Sequence, residues 1–373
     1  MGKDSNKMEL VKMLDDDVVI GVRDLVKYFP VRRGFRDAIL RRRRKFVHAV
    51  DHISFDVKKG VIFSLVGESG CGKTTTGMTL VRLYEPTSGS IFFKPDDETL
   101  SKLEREYGGK LKVYDGYIDL AEIPEKKLKP LRTKLQIIFQ DPYSSLNPAY
   151  RIKDILMEPL IIHDIGGSNE ERYEMILKAL EAVKLTPAED IANRFPHMLS
   201  GGQRQRVNIA KALLLNPSFV VADEPIAMID VSLRAEVLLS ILDLKEKFGI
   251  SVLFITHDLT IAYNISDYIA VMYLGKIVEL GSAEQIIKNP LHPYTKALVA
   301  AIPVPDPSMR HKLKDVRIKG EITSAVDIPP GCRFNPRCVA FDENPSIQKL
   351  CLNEEPELIE VEKGHYVACH LYR

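Results

Sequence analysis

Residues 199–225 read LSGGQRQRVNIAKALLLNPSFVVADEP. A Ser–Gly–Gly turn opens a run of helical spacing, an apolar stretch follows, and the segment ends on adjacent carboxylates, Asp223 and Glu224. The pattern predicts a helix over 203–215 and a buried strand over 217–222. Backbone N–H groups and a hydroxyl at a helix start, here Ser200, Gly201, Gly202 and Gln203, form an anion site. In an open parallel sheet, ligands gather at the carboxyl ends of the strands, where Asp223 and Glu224 fall. Asp223 suits Mg²⁺, and Glu224 suits orienting or deprotonating a water. Taken alone, the Asp is equally well read as a strand-end helix cap.

Upstream, FSLVGESGCGKTTT at 63–76 is an apolar strand followed by G-x-x-x-x-G-K-T. Gly67, Gly70 and Gly72 let the backbone curl so that its N–H groups face a phosphate. Lys73 is placed to reach the terminal phosphates and Thr74 to hold Mg²⁺, while Ser69, Cys71 and Thr75 belong to the same cradle. Cys71 reads as small-residue packing rather than redox chemistry. The helix predicted over 73–84 points its positive end at the anion. Gln140, in IIFQDPYSSLNP, and His257, in VLFITHDL, each follow an apolar run. Singly each is an ordinary polar residue at a strand end; at a shared sheet edge both reach a γ-phosphate and its water. The loop at 67–74 is already a complete phosphate cradle, so the anion site at 200–203 makes sense if it serves the nucleotide of a second subunit. ATP would then hold two such chains together head to tail.

Elsewhere, strands are expected over 18–29, 47–66 and 250–256, and helices over 169–184 and 232–248, an alternation that signals a parallel sheet with crossover helices. Residues 91–136 read as charged and irregular. The very basic stretch at 31–46 reads as a solvated hairpin extension, or as a contact for anionic headgroups or a partner. From Pro290 the chain is Pro-rich and reads as a linker with one short helix. Charges nearly cancel, 52 basic against 51 acidic, so no global field points to nucleic acid. No run of 18 or more apolar residues predicts a transmembrane helix, and the N-terminus carries no secretion signal core. MGKDSN loosely fits a myristoylation pattern that nothing else in the chain supports.

The ordered set GESGCGKT, FQDP, LSGGQRQR, VVADEP and ITHDL resembles the ATPase subunits of ABC transporters over roughly residues 18–285. The resemblance implies a P-loop ABC ATPase of α/β class: a parallel core sheet, an antiparallel β subdomain and an α-helical signature subdomain. It implies Walker A roles for Lys73 and Thr74, the Q-loop for Gln140, which also joins the Mg²⁺ site, and the signature for Ser200 and Gly202. It further implies Walker B for Asp223, the catalytic base for Glu224, the switch histidine for His257 and the D-loop for Asp230. Phe29 fits best as the adenine platform, with Tyr28 next. The D-loop departs from the pattern: IAMID puts Ala227 where a serine is usual, and residues 95–127 read as an insertion.

SLNP, NPLHPYTKALVAAIPVPDP and PPGCRFNPRC narrow the resemblance to the oligopeptide/dipeptide import subfamily. It implies an energy-coupling ATPase at the cytoplasmic face of the membrane. The implied partners are two permease subunits, a homologous ATPase in a heterodimer and, indirectly, an extracytoplasmic binding protein. An oligosaccharide importer and a soluble non-transport ABC ATPase are the alternatives, and nickel a further cargo. The expected divisions are a tail at 1–17, an ATPase domain at 18–288 and a small Cys-rich extension at 289–373. In that subfamily the four tail cysteines, Cys332, Cys338, Cys351 and Cys369, are associated with a 4Fe–4S cluster. Their own spacing lacks the close C-x2-C pairs of zinc ribbons and admits an iron–sulfur cluster, zinc or buried free thiols.

Overall fold

The computed structural model describes residues 2–31, 45–302, 318–321 and 323–373. Most of the basic stretch at 31–46, and the end of the Pro-rich segment from 303, lie outside the described residues. In chain order the strands are β1 (Val18–Pro30), β2 (Phe46–Lys58), β3 (Ile62–Val66), β4 (Ser88–Phe93), β5 (Ile118–Asp119) and β6 (Leu135–Ile138). They continue with β7 (Phe219–Asp223), β8 (Ser251–Thr256), β9 (Tyr268–Tyr273), β10 (Lys276–Ser282), β11 (Ile359–Glu362) and β12 (His365–Val367). Among the described residues they form two sheets, ordered β2-β1-β4-β5 and β11-β12-β10-β9-β3-β8-β7-β6.

The single strand expected over 47–66 is two strands in different sheets. Burial alternates along β2 and is continuous along β3, and the chain turns between them at Gly60, φ 66°. A strand with one wet face alternates, whereas a parallel strand covered on both faces is apolar throughout. The parallel core consists of β9, β3, β8, β7 and β6. Every residue of β3, β7 and β8 is buried. Because these strands run the same way, the loops after β3, β6, β7 and β8 emerge at one edge.

One layer of helices covers this sheet. Ile152–Ile162, Asn169–Ala182, Ala188–Asn193 and Gly201–Leu213 pack with Ile138, Val220 and Ala222 in a single apolar cluster. The last of these helices begins with a reciprocal cap: Ser200 Oγ accepts from Gln203 N at 3.2 Å, and Gln203 Oε1 accepts from Ser200 N at 3.1 Å.

Within 91–136 the chain is more ordered than its charge predicts. A helix spans Asp97–Tyr107, capped by Asp96 Oδ1 accepting from Thr99 N at 2.8 Å and closed by Gly108 at φ 57°. The 1–17 stretch carries a helix, Gly2–Lys12; Val11 is buried with Phe92, Tyr114 and Tyr117, and Lys7 pairs with Asp119.

The chain beyond 289 is built into the larger sheet. β12 adds to β10 through Glu279↔Val367 and Leu280↔Tyr366, and β11 adds to β12. The buried Glu279 carboxylate accepts from Leu291 N and His292 N, both at 2.8 Å, and contacts His365 Nε2 at 2.9 Å. The short helix expected in the Pro-rich stretch is Pro293–Ala300. Phe334 packs against Tyr273 and Tyr294, with centroids 5.2 and 5.4 Å away. Each such aromatic pair contributes about 0.5–1.5 kcal/mol beyond area burial.

Candidate nucleotide-binding site

The loop after β3 takes a path that side chains would block. Gly67 has φ 157°, and a Cβ there would lie 2.2 Å from the Met272 carbonyl oxygen. Gly72 has φ 111°, and its Cβ would lie 1.9 Å from the Ala49 carbonyl oxygen. Within the curl, buried Lys73 donates from Nζ to the carbonyl oxygens of Gly67 (2.8 Å) and Glu68 (2.9 Å). Lys73 also begins the helix Lys73–Leu80, whose N-terminal end faces the loop.

The loop borders a cleft of about 720 Å³. Gly67, Ser69, Gly70, Gly72, Lys73, Thr74 and Thr75 line one side. Gln140, Glu224 and His257 line another, and Phe29 a third. Of the two aromatic candidates only Phe29 faces the cleft. Tyr28 turns away: its hydroxyl donates to Asp51, and its ring lies 4.1 Å from that of His48. Burial opposes ionisation of Asp51, but hydrogen bonds from Tyr28 and Arg333 outweigh it and hold the carboxyl at about 2. Cys71 also points inward, into the apolar cluster with Phe63, Leu65 and Met272, and burial raises its thiol pKa.

Thr74 Oγ1 donates to Asp223 Oδ1 at 2.9 Å, so the loop and the end of β7 meet. Asp223 is almost fully buried, and burial raises its pKa, with the Glu224 charge adding to the effect and the Thr74 hydrogen bond opposing it. A buried carboxylate with this environment fits a cation beside it. Glu224 sits at φ 42°, a costly conformation for a side-chain-bearing residue, of order 1–3 kcal/mol. Its N–H donates to Ile255 O at 2.9 Å, which holds the turn. The carboxylate lies between Gln140 Nε2 at 3.2 Å and His257 Nδ1 at 3.2 Å. Four strand ends thereby converge on one volume.

Ser200, Gly201, Gly202 and Gln203 do not line this cleft. Gly201 faces the Tyr143 hydroxyl and Met228 O, and Gly202 lies against Leu233 and Ile229. Gln205 Nε2, farther along the same helix, donates to Phe139 O at 3.1 Å, joining the helix to the residue before Gln140. Sequence reasoning missed Glu68, Tyr294 and Arg337. Glu68 N donates to Tyr294 Oη at 2.9 Å, and Arg337 grips the Glu68 carboxylate. Glu68 occupies a variable position of the motif, and its partners lie more than 200 residues away, so no local pattern signals them.

The iron–sulfur expectation does not hold. Among the described residues, no group of three or more His, Cys, Asp or Glu side chains is placed to hold a metal ion. Cys332, Cys338 and Cys351 are buried free thiols in an apolar cluster with Tyr273, Tyr294 and Phe334; Cys369 lies in the neighbouring cluster with Leu291 and Val367. A hydrogen bond with Cys351 raises the Cys332 pKa, while burial raises Cys338 and pushes Cys369 up to about 12. The same hydrogen bond lowers Cys351, against its burial.

A second cleft, of about 490 Å³, lies between 52–54 and the C-terminal region. Its Arg333 and Lys276 are both paired with Glu355. The first cleft is where the glycine loop, Lys73, Gln140, Glu224 and His257 converge.

The family described as "ABC transporter" matches residues 50–227, and that described as "Oligopeptide/dipeptide transporter, C-terminal region" matches 278–343. The chain is 43% identical over 331 residues to the putative oligopeptide transport ATP-binding protein YkfD of Bacillus subtilis, covering 89% of this chain and 92% of that protein. It is 40% identical to the oligopeptide transport ATP-binding protein AppF of B. subtilis, covering 96% and 98%. It is 41% identical to the dipeptide transport ATP-binding protein DppF of Haemophilus influenzae, covering 92% and 94%. Among solved structures, a dimeric post-hydrolysis state of the ATP-binding cassette MJ0796 bound to ADP and Pi matches with TM-score 0.56 at 26% identity, covering 71% of this chain and 98% of that one. The glycine loop, the converging strand ends and these matches along nearly the whole chain lead to one conclusion: the chain belongs to the ATP-binding proteins of the oligopeptide/dipeptide branch of ABC transporters.

Proposed function

We propose that the chain binds and hydrolyses ATP in the 720 Å³ cleft and so energises import of peptides through membrane permease subunits. The observation that carries this reading is the gathering of the glycine loop, Lys73, Glu224, Gln140 and His257 around one volume. The loop N–H groups and Lys73 bind the phosphates, and Phe29 stacks on the base. Glu224 takes a proton from the attacking water on its carboxylate; Gln140 and His257 orient that carboxylate from either side. Asp223 and Thr74, with Gln140, would hold Mg²⁺, which when bound supplies positive charge against the phosphate oxygens. Ser200, Gly201, Gly202 and Gln203 serve the nucleotide of a homologous ATPase partner. Their position outside this chain's own cleft supports that, and the hydroxyl of Ser200, an acceptor in its cap, keeps a proton to donate.

In this reading residues 18–288 form the ATPase unit, 1–17 precede it and 289–373 form an extension. The chain is a peripheral subunit at the cytoplasmic face, beside two permease subunits that receive peptide from an extracytoplasmic binding protein. Among the described residues no helix is long and apolar enough to cross a membrane, which agrees with a separate membrane subunit. The decisive test is Mg²⁺-ATP binding by the full chain and by Lys73→Ala. The substitution should abolish binding; equal affinity in the two proteins would refute the site.

A further inference from the structure

Glu68 joins three systems. Its carbonyl oxygen accepts from Lys73 Nζ at 2.9 Å, its N–H donates to Tyr294 Oη at 2.9 Å, and its carboxylate receives both arms of Arg337. The fork is bidentate, Nη1 to Oε2 at 2.7 Å and Nη2 to Oε1 at 3.0 Å. The Arg337 side chain is 7% exposed and that of Glu68 23%. Arg337 lies over the Tyr273 ring, 5.8 Å from its centroid, and closes the turn Asn335–Arg337 of the Cys-rich extension. A planar fork with one rotamer held by packing fixes a carboxylate in direction as well as charge. The extension reaches the loop from a second side as well. Arg333 donates to Leu274 O, and the adjacent Gly275 N donates to Cys71 O at 2.8 Å.

The chemistry of this contact matters because of where Glu68 sits. It lines the cleft between Gly67 and Ser69, where a polyanion is to be bound. A free carboxylate there repels phosphate and can turn toward Lys73, competing for its ammonium. Arg337 neutralises that charge and draws it toward the extension.

We propose that Arg337 is a positioning residue for the phosphate loop: by holding Glu68 it keeps the loop's own carboxylate away from the nucleotide, so that the C-terminal extension sets nucleotide affinity. This rests on the reading of the cleft as the ATP site. The extension is then a lever on the ATPase: whatever displaces the 332–338 turn weakens ATP binding.

The test is Mg²⁺-ATP titration of the full chain, with melting curves, for the wild type, Arg337→Ala, Arg337→Lys, Glu68→Gln, Arg337→Ala/Glu68→Gln and Lys73→Ala. Arg337→Ala should raise Kd on the order of tenfold, within the usual range of coupling between sites. Adding Glu68→Gln should restore affinity to within about twofold, because the harmful charge is gone. In the assembled ATPase Arg337→Ala alone should raise KM and leave kcat unchanged. Arg337→Lys keeps the charge and loses the fork, so a loss of about threefold that Glu68→Gln removes is expected even if the alanine variant folds poorly. Wild-type affinity in both Arg337 variants would overturn the proposal. So would a loss that Glu68→Gln fails to rescue, which would mark Arg337 as a support of the extension's fold alone. If Lys73→Ala binds like the wild type, the ATP-site reading itself fails; loss in Lys73→Ala with no change at Arg337 sinks only the clamp.

Discussion

Replacing Glu224 by glutamine isolates the proton-transfer step. The amide has the shape of the carboxylate and can still meet Gln140 and His257, now at 3.2 Å on either side. The conformation at φ 42° is unchanged by the substitution, so folding and ATP binding should be preserved. What is lost is the base. General-base assistance contributes about 10²–10⁴-fold. The structure argues for the middle to upper part of that range, because the cleft offers no substitute. The other carboxylates at the site are committed: Asp223 is buried and bonded to Thr74 Oγ1, and Glu68 is held by Arg337. His257 is exposed and directed at Glu224 itself. We therefore expect turnover in the assembled complex to fall about 10³-fold, equivalent to roughly 4 kcal/mol in the barrier, with Kd for ATP within about twofold of wild type. Single-turnover phosphate release against nucleotide titration separates the two quantities. Turnover within tenfold of wild type, at unchanged affinity, would refute the assignment of Glu224 as base.

Gly72→Ala forces a Cβ to 1.9 Å from Ala49 O at φ 111°; ATP binding should be lost and melting lowered by several degrees, and wild-type titration would contradict the cradle geometry. Phe29→Ala should weaken ATP binding roughly tenfold through lost stacking, whereas Tyr28→Phe should leave Kd alone and cost about 1 kcal/mol of stability; the reverse pattern would exchange their roles. His292 is fully buried, and burial lowers its pKa from 6.5 to about 4, against the charge of Glu279 and with that of Lys296. The unfolded chain takes up this proton first, so the stability is lost as pH falls from 6.5 toward 4, by about 3 kcal/mol. Urea unfolding at pH 7 and pH 4.5 should show the loss, and His292→Asn, which keeps a capping acceptor for Tyr294 N, should flatten it; an unchanged slope would remove His292 as its source.

The gathering of residues around the first cleft was legible because its motifs are local. The loop at 67–75 and the strand-end residues Gln140, Glu224 and His257 each carry their signal within a few neighbours, and one parallel sheet brings them together. The preference for Phe29 over Tyr28 came from its offset in the motif set; adjacent strand residues point to opposite faces, and the register of β1 turns Phe29 to the cleft and Tyr28 to Asp51. The helix at Asp97–Tyr107 was masked by its charge, although Asp96 and Gly108 are ordinary start and stop signals. The four tail cysteines misled differently. Their clustering in sequence does bring them near one another, but in apolar clusters as packed thiols rather than as a ligand set. The contacts that integrate the extension, from β12 on β10 to Arg337 on Glu68, are long-range and leave no periodicity to read.

The central claim, that this ATPase works for peptide uptake, is tested most directly by ATP hydrolysis in lipid. The pure chain would be assembled with its permease subunits, ATPase partner and cognate binding protein. The binding protein would then be loaded with a mixed short-peptide pool or a mixed oligosaccharide pool. The account predicts stimulation by peptide alone, lost in Lys73→Ala and Glu224→Gln. Stimulation by sugar alone would keep the ATP site and overturn the cargo; healthy basal turnover with no response to either would contradict a role in peptide import.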